Sequence, residues 1–180
     1  MVTALKLRLK PVGKAQLSFS QLTVLSLLGA VLFAVQVVLS FLPNIELVSL
    51  LIILYTRVYG AKAFYPVYLF VLMEGLYYGF NTWFINYLYV WAVLVFVTLL
   101  LRRHTSTALW TFVNAAFGLF FGAFCSIIYL FLGGVPAMLS YWISGIPFDV
   151  LHMVGNGLTA FVLLPPLYRL LARLNKQTSL

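Results

Sequence analysis

Long apolar runs separated by short polar breaks make up most of the chain. Six of these runs are candidates for helices that cross a bilayer, which takes roughly 20 mostly apolar residues. They cover approximately residues 20–42, 46–59, 62–79, 84–101, 107–132 and 147–172. The breaks carry charge, glycine, proline or asparagine, which commonly end helices. The pattern predicts an all-α polytopic membrane protein with six transmembrane helices, of which the second is the shortest.

Composition favours lipid as the solvent of this chain. Of its 180 residues, 64% are hydrophobic and only 8% are charged, whereas a soluble domain carries about 25% charged residues. A chain of this kind cannot cover itself with polar surface. We therefore expect a basic N-terminal segment at 1–19, one six-helix membrane domain at 20–172 and a short tail at 173–180.

The basic residues occupy regular positions relative to the ends of the predicted helices. Eleven Lys and Arg residues give the chain a net charge of +8. They are Lys6, Arg8, Lys10, Lys14, Arg57, Lys62, Arg102, Arg103, Arg169, Arg173 and Lys176. All of them fall on one side of a six-helix arrangement, so the positive-inside rule predicts that both termini are cytoplasmic. Attraction to an anionic lipid leaflet accounts for this charge without a nucleic-acid partner.

Polar and aromatic residues collect on the opposite side of the predicted bundle. The candidates for a ligand-binding site are Asn44, Glu46, Glu74, Asn81, Trp83, Asn86, Tyr87, Trp91, Tyr141, Trp142, Asp149, His152 and Asn156. Ionisable residues inside a membrane are costly and usually serve a function. Aromatic walls with a few polar groups are typical of small-molecule sites. We therefore predict binding at this end, with no catalytic residue and no metal site.

The stretch "IPFDVLHMVGN" places three polar residues on one helical face. We expect Pro147 and Asp149 in the first turn of the sixth helix, where a proline fits and an acid faces the positive end of the helix dipole. Spacings of three and seven put Asp149, His152 and Asn156 on that face. They form either an Asp–His pair that joins helices or a ligand-binding surface. Glu74 lies within an apolar run and needs a donor from His152, a tyrosine, an amide or a ligand.

Aromatic and small residues form two further stripes at helical spacing. Trp83, Tyr87 and Trp91 follow one another at steps of four, and they form either an interfacial belt or a wall on which a ligand stacks. Ala30 and Ala34 form a small-xxx-small pair, which allows close approach of another helix inside the protein or from a partner subunit.

Several classes of activity lack their usual motifs. The chain has one cysteine, three acids and two histidines, so disulfides and metal clusters are not expected. It contains neither a phosphate-binding glycine loop nor the HExxH and GxSxG motifs. We expect a protein that is not an enzyme, although an intramembrane enzyme using Asp149 and His152 is one alternative. A facilitator that acts without partners is another.

The arrangement resembles the substrate-binding S component of energy-coupling factor (ECF) vitamin transporters. The segments "LPNIELVSLLIILYTRVYG", "LYYGFNTWFINYLYVW" and "YWISGIPFDVLHMVGN" are similar to the branch associated most with cobalamin and less firmly with pyrimidine or pyridoxine precursors. The resemblance implies a multi-pass protein of the bacterial plasma membrane and no cofactor beyond the transported vitamin. It also implies docking through Ala30 and Ala34 onto a coupling subunit that is driven by two ATPase subunits.

The residues at the predicted site also limit the ligand. No Lys or Arg lies on that side of the bundle, whereas strongly anionic vitamins usually bind to such residues. A neutral, zwitterionic or cationic ligand with a flat apolar surface fits better, and thiamine is a candidate by charge. We expect the glycine-containing loop "GGVPAMLSYWISG" to act as a lid over the ligand.

Overall fold

A computed structural model describes residues 17–178 of the chain, with side chains as far as residue 176. The basic residues within 1–16, for which a cytoplasmic position is predicted, therefore lie outside the described residues. The elements are α1 (Phe19–Leu39), α2 (Val48–Tyr59), a 3₁₀ turn (Gly60–Ala63), α3 (Phe64–Tyr78), α4 (Thr82–Leu101) and α5 (Thr107–Thr178). Within this part of the chain every regular element is helical, as the apolar runs predict. Three helices, α1, α4 and α5, are long and apolar enough to cross a membrane.

The short helix α2 forms the centre of the molecule. Eleven of its 12 residues are buried, and it packs mainly against α4 and α5, while α1 packs against α3. At 1.5 Å per residue, α2 extends over roughly 18 Å, which is less than the thickness of a hydrocarbon core. Gly60 has a left-handed φ of 63°, which lets the chain leave α2 and turn into α3.

Local signals fix where the helices begin and end. Ser18 and Gln21 form a reciprocal capping box at the start of α1, which satisfies two backbone donors that have no partner within the helix. The side chain of Asn81 accepts a hydrogen bond from the backbone of Trp83 and caps α4. Gly79, with a φ of 90°, ends α3. The connection between α3 and α4 at residues 79–81 is therefore short, and local signals fix both of its ends.

The predicted loop at residues 133–147 is wrong. Non-helical dihedral angles occur only at Gly133 and Gly134, and the chain is helical again from residue 135. Pro147 and Asp149 consequently lie inside a helix and not in its first turn, and the segment predicted as a lid is helical. Pro136 suits the new first turn, and prolines within a helix are tolerated when surrounding groups satisfy the freed backbone.

The two segments of α5, residues 107–132 and 135–178, form an antiparallel hairpin. The rings of Tyr129 and Tyr141 stack near its tip, with centroids 4.2 Å apart. Gly118 faces the backbone of the second segment so closely that a Cβ there would be 2.8 Å from the carbonyl oxygen of His152. Small residues of this kind let helix backbones approach in membranes. The hairpin places its second segment beside α2.

Candidate functional site

The charged residues lie at two separate ends of the bundle. At one end, which we call the basic end, the guanidinium Nε of Arg102 donates to the carbonyl oxygen of Arg57 at 3.1 Å. The buried Arg57 guanidinium lies 4.2 Å from the ring centre of Tyr168 and 4.7 Å from that of Trp110. Cation–π attraction is therefore its main compensation for burial. The acidic residues lie towards the other end, which we call the cavity end.

A cavity of about 310 Å³, the central cavity, lies at the cavity end. The end of α1, the α1–α2 connection, α4 and both segments of α5 contribute to its walls. It is lined by Gln36, Leu39, Ser40, Leu42, Pro43, Asn44, Ile45, Glu46, Tyr78, Tyr87, Trp91, Phe121 and His152. Five of these, Asn44, Glu46, Tyr87, Trp91 and His152, are among the predicted site residues. Segments far apart in sequence thus build one binding-sized space.

An acid–histidine pair closes one side of the central cavity. His152 Nε2 lies 3.2 Å from Glu46 Oε1, and Glu46 also accepts a 2.8 Å hydrogen bond from the backbone N–H of Ser49. The Ser49 hydroxyl donates to the same carboxylate. Burial raises the pKa of Glu46, but the bond and charge of His152 and the two Ser49 bonds outweigh it, so the pKa lies below 4.5. Glu46 is therefore a carboxylate that joins α2 to α5.

Two ring nitrogens in the cavity wall have no partner. Because the Glu46 carboxylate only accepts hydrogen bonds, His152 Nε2 carries the proton in that contact, which leaves Nδ1. His152 Nδ1 and Trp91 Nε1 are both buried without a hydrogen-bond partner. Trp91 is 2% exposed and His152 is 4% exposed. Buried polar atoms without partners are uncommon, and here they offer contacts to a bound molecule.

The other two residues of the predicted polar face have different roles. Asp149 Oδ1 accepts a 2.9 Å hydrogen bond from the backbone of Gly122 and does not form the Asp–His pair, which is one of the two roles predicted for this face. Asn114 Nδ2 donates to the carbonyl of Asn156 at 2.9 Å, and Asn156 Nδ2 donates back to Asn114 at 3.4 Å. These bonds hold the α5 hairpin together. Asp149 also lines an adjoining cavity of about 380 Å³ with Tyr141.

Glu74 lies in a third cavity, of about 330 Å³, which we call the Glu74 cavity. Its other lining residues are Tyr78, Trp83 and Tyr87. Glu74 is 3% exposed, and its Oε1 has no hydrogen-bond partner. The donors predicted for it, namely His152, a tyrosine or an amide, form no hydrogen bond with it in the described part of the chain. Tyr78 and Tyr87 also line the central cavity, so the two cavities are neighbours.

Four predicted residues do not line any of these cavities, namely Asn156, which bonds to Asn114 as described above, and Asn81, Asn86 and Trp142. Asn81 is exposed and caps α4. Asn86 is buried, with its Oδ1 2.9 Å from the hydroxyl of Tyr89, which donates to the carbonyl of Phe124 at 2.7 Å. Trp142 is partly exposed on the second segment of α5. These side chains cap or pack helices and do not line the candidate site.

Several residues at the site carried only a weak signal in the sequence. Ser49 follows Glu46 by three positions, a spacing typical of helix N-termini. Gln36 places an amide in the apolar second half of α1. Tyr78 and Phe121 resemble many other aromatic residues of the chain, so nothing in the sequence distinguishes them. Aromatic rings connect these walls: Phe121 lies 5.0 Å from the His152 ring.

The small-residue pair on α1 points away from the core. Gly29 packs against Pro66 and Leu69 of α3, while Ala30 is half-buried and Ala34 is exposed. Ala30 also borders an apolar groove of about 510 Å³ with Phe19 and neighbouring residues of α1. Internal packing, one of the two predicted roles, is thus served by Gly29 and not by Ala34.

Among residues 17–178, no group of three or more His, Cys, Asp or Glu side chains is arranged to hold a metal ion. The polar groups of the site are instead arranged singly among aromatic rings, which suits recognition of an organic molecule. Neither a protein-family model, nor a curated protein, nor a solved structure matches this chain.

Proposed function

We propose that the chain is the substrate-binding membrane subunit, or S component, of an ECF-type vitamin importer. It captures a small water-soluble vitamin or vitamin precursor from outside and delivers it through a coupling subunit. Two ATPase subunits supply the energy, and the chain itself is not an enzyme. The proposal includes six membrane spans, with α2 and α3 as short ones, cytoplasmic termini and residence in a bacterial plasma membrane.

The observation that carries this proposal is the central cavity and its position. It lies at the end of the bundle opposite to Arg57 and Arg102, where the positive-inside rule places the outside. Its wall presents the unpartnered nitrogens of Trp91 and His152 among aromatic rings. The Trp91 N–H donates to a ligand acceptor, and His152 Nδ1 meets a ligand donor when the imidazole is neutral. A planar heteroaromatic ring that carries both a hydrogen-bond acceptor and a hydrogen-bond donor supplies a partner for each of these two nitrogens.

The size of the central cavity favours a small ligand. A volume of about 310 Å³ lies at the lower end of the range for ligand pockets, roughly 300–1,000 Å³. A pyrimidine, pyridoxine or thiamine-like molecule is of this size. Cobalamin, the vitamin that the sequence resemblance favours, is far larger and would have to extend over the adjoining cavities. No Lys or Arg lines the cavity, which disfavours strongly anionic vitamins.

Binding by the purified chain tests the proposal directly. We expect one member of a vitamin panel to bind, and His152→Ala to weaken that binding at least tenfold. His104→Ala is a matched control, because His104 is the other histidine of the chain and is exposed beyond α4. Absence of binding by every vitamin, or equal affinity of the two variants, would contradict the proposal. Uptake into vesicles that contain this chain alone would favour a stand-alone facilitator.

The exposed face of α1 supports docking of a partner subunit. Ala34 is exposed, and Leu27 and Val31 on the same helix are 62% and 44% exposed. We expect Ala34→Trp to leave vitamin binding intact while abolishing uptake in cells that contain the coupling and ATPase subunits. Leu100→Trp, on an exposed position of α4, is the control and should transport normally. Normal uptake by Ala34→Trp would contradict docking at this strip.

A further inference from the structure

The Glu74 cavity combines one buried carboxylate with three aromatic walls. Tyr78 and Trp83 have ring centroids 6.4 Å apart and planes at 86°. Trp83 and Tyr87 have centroids 5.2 Å apart and planes at 81°. Neighbouring rings therefore stand almost perpendicular to each other, as the walls of a box do. Glu74 lines the same space and has an oxygen without a partner.

Within the described chain, no cation neutralises Glu74. Arg57 and Arg102 lie at the basic end, and His152 is engaged by Glu46 at 3.2 Å. A buried carboxylate without a donor or counter-charge is costly. A metal ion is not a good occupant, because Glu74 is the single carboxylate in this cavity and hard cations take six or more oxygen ligands.

Perpendicular aromatic faces beside an acid match one ligand chemistry well. Ring faces attract quaternary and protonated ammonium groups through their quadrupoles, and such aromatic cages recognise these groups in many proteins. The Glu74 carboxylate, which is itself buried, supplies the matching negative charge. A volume of about 330 Å³ leaves room for a substituted ammonium group or a small cationic ring.

We propose that the Glu74 cavity binds the organic cation of the ligand, while the uncharged ring of the same ligand occupies the central cavity. Tyr78 and Tyr87 line both cavities, so the two cavities lie side by side, as binding of two parts of one molecule requires. The inference deepens the proposed function and rests on it for the physiological ligand. It narrows the substrate class to molecules that join a heteroaromatic ring to a permanent or protonated nitrogen cation.

Choline and its uncharged isostere 3,3-dimethyl-1-butanol test the site without knowledge of the physiological ligand. Both are titrated against the purified full-length chain, with heat or tryptophan fluorescence as the signal. We expect choline to bind at least tenfold more tightly than the isostere. Glu74→Gln should remove this preference while keeping the size and shape of the side chain.

Two tyrosine substitutions distinguish the contribution of the Glu74 cavity wall from that of the neighbouring surface. Tyr78→Leu removes one wall and should weaken choline binding several-fold. Tyr77→Leu is the matched control, because Tyr77 is the adjacent tyrosine, is 62% exposed and does not line the Glu74 cavity. Equal effects of the two substitutions would contradict the assignment even if Glu74→Gln failed to fold.

The outcomes for this site and for the proposed function are distinguishable. Vitamin binding that depends on His152, together with no preference for choline over its isostere, would overturn the cation site and leave the proposed function standing. A choline preference that is lost in Glu74→Gln would support the cation site, even if no vitamin in the panel bound. An unchanged choline preference in Glu74→Gln would overturn the inference.

Discussion

The close approach of the two α5 segments at Gly118 permits a demanding test of the structure. An alanine Cβ at this position would lie 2.8 Å from both the carbonyl carbon and the oxygen of His152, and 2.9 Å from the backbone nitrogen of Met153. Backbone atoms cannot rotate away as a flexible side chain can. We therefore expect Gly118→Ala to push the segments of the hairpin apart.

The size of the effect follows from these distances. The contact is about 0.6 Å shorter than the 3.4 Å at which ordinary contact begins. Overpacking of this kind costs about 1–3 kcal/mol, while alanine in place of glycine within a helix returns up to about 1 kcal/mol. Because the obstacle is backbone, we expect the upper part of the cost and a net loss of about 2 kcal/mol.

Gly157→Ala is the matched control in the same hairpin. Its Cβ would lie 3.5 Å from the Cβ of Ala115, which is ordinary contact, so we expect a gain of about 0.5–1 kcal/mol. The two glycine-to-alanine substitutions should thus change stability in opposite directions. Gly118→Ala should also weaken ligand binding, because it displaces His152 from Glu46.

The single cysteine provides the assay. Cys125 is buried, so a thiol-reactive fluorescent dye labels it only when the purified protein unfolds in detergent. Melting curves of the wild type and both variants give the order of stability, and a ligand titration gives the effect on the site. If Gly118→Ala melted at or above Gly157→Ala, the hairpin geometry described above would be wrong.

Three further tests address other contacts. The depressed pKa of Glu46 means that its carboxylate stabilises the fold above about pH 4.5 and loses that effect as the pH falls further. The difference in melting temperature between wild type and Glu46→Gln should shrink in acid, and a constant difference would contradict the pairing. Arg57→Lys should cost about 1–2 kcal/mol in thermal unfolding because an ammonium cannot lie flat over two rings, whereas exposed Arg103→Lys should cost nothing measurable, and equal losses would refute the assignment. Asn114→Ala and Asn156→Ala should each cost about 1 kcal/mol and should combine non-additively in a double-mutant cycle, whereas simple additivity would argue against their reciprocal bonds.

The positions of the helices could largely be predicted from the apolar runs. The second and third predicted helices, 46–59 and 62–79, agree with α2 and α3 to within about two residues at each end. The helix through residues 133–147 could not be predicted, because a segment with three glycines, two prolines and polar residues usually marks a loop. In the structure the hairpin partner supports a helix through these prolines, and tertiary packing overrides local propensity.

The candidate site was predictable as a region but not in its pairings. Glu46 and His152 are 106 positions apart, and helical spacing favoured Asp149 as the partner of the histidine. Local periodicity reports which residues share a face, whereas it does not report which helix lies opposite. The hairpin turns Asp149 towards Gly122 and leaves His152 to Glu46. Contacts of this range follow only from the packing of whole helices.

The second segment of α5 connects the two ends of the molecule mechanically. It carries His152 at the cavity and, 21 positions later, Arg173 at the basic end, a distance of roughly 32 Å along a helix. Pro165 and Pro166 lie between these points, and neither has the backbone N–H that would continue the hydrogen-bond ladder of the helix. A displacement of the cationic tip is therefore transmitted to the central cavity along one helix, and the stiffness of that helix at the two prolines sets how much of the displacement reaches His152.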